Sequence, residues 1–215
     1  MKYKLIIFDM DGTTLYTIED LTNSLNFALN KSKLPTRSLP EVLRFVGNGI
    51  RKLIERAVPD GSSEETIETV HANFTEHYTI HCADTTRPYD GIIKLLKTLK
   101  EKGILTAIVS NKADYAVQAL CKDYFPNLFD AVAGEKQDVR KKPAPDMVNN
   151  ILKSLNLTAH DAVYIGDSEV DIQTAKNSNM DCIAVDWGFR TREDLIQAGA
   201  NVIVSTPDEI LGKIE

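Results

Sequence analysis

The sequence predicts a doubly wound α/β fold, a parallel sheet with helices on both faces, and three observations carry that expectation. Short apolar runs recur along the chain, amphipathic helical stretches separate most of them, and the first run ends directly in a pair of aspartates. A strand buried on both faces reads as a continuous apolar run, because neither face meets water. One stretch breaks the alternation: from residue 16 to about residue 82 the apolar spacing is helical throughout. The expected organisation is a Rossmann-like parallel sheet core formed by residues 1–15 and 83–215, with a helical domain, residues 16–82, inserted into it. At 215 residues and 43% apolar, the chain is long enough to bury a core without staples.

The strands are expected at Leu5 to Phe8, Ile104 to Val109, Phe129 to Ala133, Ala162 to Ile165, Cys182 to Val185 and Val202 to Val204. Between them, Asp90 is placed to cap a helix carrying Ile92, Leu95, Leu96 and Leu99, and Gly103 to end it. Thr206, Pro207 and Glu209 make a capping box near the C-terminus, and Thr191 with Asp194 a weaker start before it. In the insertion, Leu21, Leu25, Ala28 and Leu29 share one helical face, and Ile50, Leu53, Ile54 and Ala57 another. Ser62 with Glu65 is expected to cap a third helix carrying Ile67, Val70, Phe74 and Tyr78.

Composition narrows the class of function. A formal charge of −6, with lysines and arginines scattered, lacks the basic stripe of a nucleic-acid binder. Cys82, Cys121 and Cys182 are odd in number and far apart, without zinc-site spacing, and read as reduced thiols. The start has only a short apolar run before two aspartates, neither a secretory core nor a membrane span, so a cytoplasmic setting without membrane association is expected.

The chemistry concentrates at predicted strand ends, where open α/β sheets bind ligands. Asp9-Met10-Asp11-Gly12-Thr13 follows the first strand, so Asp9 and Asp11, two apart, can point to one side, one to attack and the other to exchange a proton. Gly12 permits a tight turn and close approach of backbone N–H groups to an anion. The same residues are ordinary strand-ending turn formers, and both readings stand at this point. Ser110 and Asn111 follow the strand ending at Val109 and offer phosphate contacts or a plain helix start. Lys142, before a helix carrying Val148, Ile151, Leu152 and Leu155, can screen charge between a carboxylate and a phosphate dianion. Asp167 and Asp171 follow the strand ending at Ile165. Four acids, Asp9, Asp11, Asp167 and Asp171, at one sheet edge would repel one another unless a hard cation such as Mg²⁺ intervened.

At this point the sequence resembles the haloacid dehalogenase superfamily, in four motifs and in their order. They are Asp9-Met10-Asp11-Gly12-Thr13, Ser110, Lys142 with Pro143 and Pro145, and Gly166-Asp167-Ser168 with Asp171. The resemblance implies that residues 16–82 form a helical cap and that Asp9 is a nucleophile forming a phospho-aspartate. It further implies that Asp11 is the proton-transfer group, that Ser110 binds phosphate and that Lys142 steadies Asp9. Mg²⁺ would be held by Asp9, the Asp11 carbonyl oxygen and Asp167, with Asp171 as ligand or support. Phe45-Val46-Gly47-Asn48-Gly49, Pro88-Tyr89-Asp90-Gly91 and Trp187-Gly188-Phe189 are similar to segments of phosphoglycolate phosphatase-like members. Thr14 and Tyr16 depart from the Leu and Asp that many members carry there.

The expected partner is a small phosphorylated metabolite, phosphoglycolate first, acted on by a monomer or homodimer. A phosphomutase is the enzyme alternative, then a pyrophosphatase or nucleotidase. A receiver module is a third reading, disfavoured by the helical lid and by an acceptor on the first strand. Gly47, Asn48 and Gly49 before the run Ile50 to Ala57, with Arg51 in its first turn, are expected either to read an anionic group on the substrate or merely to turn the chain.

Overall fold

The computed structural model describes residues 2–215. The chain opens on β1 (Leu5–Phe8) and β2 (Leu15–Tyr16), then runs through α1 (Ile18–Lys31), α2 (Leu39–Phe45), α3 (Ile50–Ala57) and α4 (Glu64–His81). It returns at β3 (Arg87–Pro88) and alternates through α5 (Ile92–Glu101), β4 (Leu105–Ala113), α6 (Asp114–Tyr124), β5 (Ala131–Glu135) and α7 (Asp146–Ser154). The last part comprises β6 (Ala162–Gly166), α8 (Glu169–Asn177), β7 (Asp181–Val185), α9 (Arg192–Gln197), β8 (Ile203–Val204) and α10 (Pro207–Ile214). Two compact units result, one joining the segment up to Leu15 to Pro88–Glu215, the other spanning Tyr16–Arg87. Among the described residues no helix is long and apolar enough to cross a membrane.

The first unit is built on a six-stranded sheet in the order β5-β4-β1-β6-β7-β8, every neighbouring pair parallel. Renumbered by its own strands this is 3-2-1-4-5-6, the doubly wound order in which the chain reverses direction between the first and fourth strands. That reversal lies between β1 and β6, and the crevice beyond their carboxyl ends is where a ligand fits. Leu5, Ile6, Ile7 and Phe8 are fully buried, as a central strand covered on both faces requires. Leu5 and Ile7 pack with Ala107, Val109 and Tyr164 of the adjoining strands and with Val148, Ile151 and Leu152 of α7.

Within the second unit, α1 buries Leu21, Leu25, Ala28 and Leu29, and it lies along α4, which buries Val70, Phe74 and Tyr78. The unit continues to Arg87 instead of closing at residue 82, and buried Asp20 of α1 supplies the reason. Its carboxylate accepts from the Thr85 N–H and hydroxyl at 3.0 and 2.7 Å, and from the Thr86 N–H and hydroxyl at 2.8 Å each. The segment leading into β3 is thereby tied to the first helix of the insertion. β2 and β3 pair as a two-stranded ribbon where the chain crosses between units.

Several local expectations shift. β4 runs on to Ala113, so Ser110 and Asn111 lie in a strand and do not open a helix. α4 is capped by Ser63, which accepts from the Thr66 N–H at 3.2 Å, while Ser62 bonds back to the Pro59 carbonyl. α5 starts after Gly91, whose φ of 88° no side-chain cap at Asp90 could replace. The unexpected α2 begins at Ser38 with Glu41 completing a capping box.

Candidate active site

The site grows from the end of β1. The Asp9 N–H still bonds to the Ile165 carbonyl (2.8 Å), so the sheet holds this residue rigidly up to the point where the chain turns. Beyond it, the Met10 carbonyl gathers the N–H groups of Thr13, Thr14 and Leu15 in a tight turn. Gly12, at φ 85°, closes the turn by donating its N–H to the Leu15 carbonyl at 2.9 Å. That N–H is therefore engaged within the turn, as the tight turn expected at Gly12 allows. A Cβ there would collide with the Asp167 carboxylate. Thr14, one of the two departures, turns its hydroxyl back to the Asp9 and Met10 carbonyls, both at 3.3 Å.

β6 delivers the second set of acids. Asp167 follows it directly, its carboxylate accepting from the Thr13 hydroxyl at 2.9 Å and from the Phe189 N–H at 2.7 Å. The Trp187 indole N–H bonds to the Thr13 carbonyl at 3.1 Å, fastening this loop to the β1 turn. Asp171 is the third residue of α8 and accepts from the Ser168 N–H and hydroxyl, a capping box that fixes its rotamer. Asp9, Asp167 and Asp171 are all buried and offer oxygens within 4.8 Å of one another.

One ammonium is set among them. Lys142 Nζ lies 2.9 Å from Asp9 and 2.8 Å from Asp171, its side chain about 2% exposed. Asn111 holds this lysine's backbone: its amide donates to the Lys142 carbonyl at 3.0 Å and its oxygen accepts the Lys142 N–H at 2.8 Å. The Asn111 carboxamide expected at phosphate is thus engaged in placing Lys142. Ser110, on the other side of the strand, is buried and accepts the Lys112 N–H at 3.3 Å.

The electrostatics show too little positive charge. Burial pushes the Asp9 carboxyl well above the carboxylate range; Lys142 opposes this, while Asp171 and Asp167 add to it. Asp167 is pushed up to about 7, by burial first and by Asp171 next, against the bonds from Phe189 and Thr13. Burial works against the Lys142 ammonium, yet Asp171 and Asp9 outweigh it and hold its pKa well above the lysine value. Three buried carboxylates and one lysine leave room for a divalent cation, and an all-oxygen donor set suits a hard one.

Asp11 departs from this cluster. Its carboxylate, about 21% exposed, receives Lys112 Nζ at 2.9 and 3.1 Å, and the Lys112 side chain is about 2% exposed. Lys112 is the site residue that sequence reasoning passed over, because β4 was expected to end at Val109 and a lysine beyond a strand end is ordinarily solvated.

The insertion's candidates are engaged within their own unit. Arg51 reaches Glu55 at 3.0 Å and also Glu64 and Glu68, so its charge is met by three carboxylates of α3 and α4. Arg56 pins the turn before α3 by bonding to the Asn48 side-chain oxygen (2.8 Å) and the Phe45 carbonyl (2.7 Å). Gly47 and Gly49 take φ of 115° and 84° in that turn.

A doubly wound sheet with an inserted helical unit and a buried acid cluster around the aspartate that follows its first strand defines a class, and sequence comparison agrees. The chain belongs to the haloacid dehalogenase-like hydrolases, whose family model matches residues 6–185. Among its relatives, a phosphoglycolate phosphatase of Mesorhizobium japonicum is 33% identical over 198 residues, 89% of this chain and 86% of that protein. A phosphoglycolate phosphatase of Colwellia psychrerythraea is 31% identical over 215 residues, covering 97% and 95%. A solved structure from Lactobacillus delbrueckii subsp. bulgaricus, provisionally assigned as a phosphoglycolate phosphatase, superposes with a TM-score of 0.95 at 39% identity, over 100% of this chain and 99% of that one.

Proposed function

We propose that this hydrolase is a Mg²⁺-dependent phosphatase of small phosphorylated metabolites, with phosphoglycolate its first candidate substrate. The observation that carries the reading is the buried Asp9 carboxylate at the end of β1, with Lys142 2.9 Å away and two further buried acids beside it. Asp9 and Asp167 follow β1 and β6, Asp171 lies in the first turn of α8 and Lys142 stands on the turn before α7, and the phosphoglycolate phosphatases among the relatives support phosphoglycolate as the substrate.

Asp9 attacks phosphorus and the ester oxygen departs, taking a proton from Asp11; water then attacks the phospho-aspartate, giving a proton to Asp11 and releasing phosphate. Lys142 keeps the Asp9 carboxylate aimed and offsets its charge as the phosphate dianion approaches. Ser110 binds a phosphate oxygen, and Asn111 and Asp171 act through Lys142 by fixing its position. Asp9, the Asp11 carbonyl and Asp167 would hold Mg²⁺, which supplies neutralisation of charge between nucleophile and phosphate. Splitting the reaction in two lets one preorganised set of groups serve both displacements.

The deciding experiment measures phosphate release and isomer formation on phosphoglycolate, pyrophosphate, nucleoside monophosphates and hexose phosphates. Mg²⁺ is present in one series and a chelator in the other. Phosphate released from phosphoglycolate with the highest kcat/KM, and only in the metal series, is the expected result. Isomerisation of a hexose phosphate without phosphate release would move the chain to the mutase alternative.

A further inference from the structure

We infer that Lys112 selects substrates that carry a carboxylate next to the ester oxygen. This rests on the proposed role of Asp11 as the group that exchanges a proton with that oxygen. The inference begins from β4, which continues past Val109, alongside β5 as far as the pairing of Ala113 with Glu135, and carries Lys112 into the site. Its side chain is almost wholly buried, although α6 begins only two residues later and a solvated position lies close along the chain. Removing an ammonium from water is costly unless an anion faces it, and here the Asp11 carboxylate does so with both oxygens.

The geometry has a chemical consequence. Whatever reacts must place its ester oxygen within hydrogen-bond reach of Asp11, and Lys112 Nζ already lies within hydrogen-bond reach of that same carboxylate. In a 2-phosphooxy carboxylate a single carbon separates the ester oxygen from the carboxylate carbon, so that carboxylate arrives where Lys112 already faces a carboxylate. An ammonium is a point charge without a fixed fork, and it accepts a second anionic oxygen from a new direction. The other ammonium of the site, Lys142, is held between Asp9 and Asp171. Arg51, the cation first expected to read the substrate, is held by Glu55, Glu64 and Glu68.

The test compares phosphoglycolate with its carboxylate methyl ester, which keeps the same ester oxygen to phosphorus but lacks the charge. Steady-state kcat/KM is measured for wild type, Lys112→Met and Lys112→Arg. Wild type should prefer phosphoglycolate, and Lys112→Met should lose about 10- to 100-fold of that preference, the range of a charged hydrogen bond. Most of this loss should fall in KM, because a carboxylate contact is made in the ground state as well. Both substrates will also slow, since Asp11 loses its partner, but the ratio between them isolates selection, and Lys112→Arg should retain most of it. Should Lys112→Met fail to fold by circular dichroism, Lys112→Gln removes the charge at similar length and carries the same readout. An unchanged ratio with both substrates slowed would overturn the inference, leaving Lys112 as support for Asp11 and the phosphatase reading intact. A wild type that treats the two substrates alike would overturn the proposed substrate and this inference together.

Discussion

The role proposed for Asp9 can be tested by a change confined to its side chain, which leaves β1, ending at Phe8, in place. Asp9→Asn keeps shape and the Met10 N–H contact but removes the nucleophile, so activity should fall at least a thousandfold, about 4 kcal/mol, with an unchanged circular dichroism spectrum. A variant retaining a tenth of wild-type activity would rule out covalent catalysis through this residue. Single residues were legible where strand ends marked them: Asp9 and Asp167 stand immediately after buried apolar runs. Lys112 was not, because whether a strand stops at Val109 or Ala113 depends on its partner β5, which sequence periodicity does not display. Two of the partners of Arg51 were hidden for a related reason. Its partner Glu55 is visible one turn along the helix, but Glu64 and Glu68 belong to α4 and meet it only after folding.

Among the elements, α1 and the segment leading into β3 share a dependence that no motif advertises. Asp20 is fully enclosed and satisfies Thr85 and Thr86 through both backbone and hydroxyl donors. Asp20→Ala would strand buried N–H groups and should lower stability by roughly 2–4 kcal/mol, read from the urea midpoint. Asp20→Asn keeps one accepting oxygen and should fall between the two. A midpoint within error of wild type for Asp20→Ala would mean that these donors find water or other acceptors. The helical character of this unit could be read from apolar spacing. Its far boundary could not, since the Asp20 contacts join residues more than sixty positions apart.

For the whole molecule, the acid cluster links stability to pH and to metal. Below about pH 4 the Asp167 carboxyl is protonated in folded and unfolded chains alike, and the site carries no penalty. As pH rises towards about 7, the unfolded chain ionises while the folded one keeps its proton, so stability from this group is progressively lost. The raised Asp9 acts in the same direction. A cation that binds the ionised carboxylates reverses the loss. Millimolar Mg²⁺ should therefore raise Tm more at pH 8 than at pH 5, as differential scanning fluorimetry would show. Equal shifts at both pH values would mean that Mg²⁺ acts elsewhere. The sheet order was within reach of the sequence as a class, because alternating apolar runs and helices leave few right-handed solutions.

The ribbon formed by β2 and β3 gives the chain a natural splice point. The insertion leaves and rejoins the sheet-bearing unit through two short strands that pair with each other, so its two ends lie side by side. A different helical module, or a short loop, could be grafted onto that strand pair while the turn from Asp9 to Leu15 kept its own hydrogen bonds. The packing of the inserted helices and the geometry of the acid cluster are thereby separable along the chain, and the former can be exchanged while the latter stays as it is.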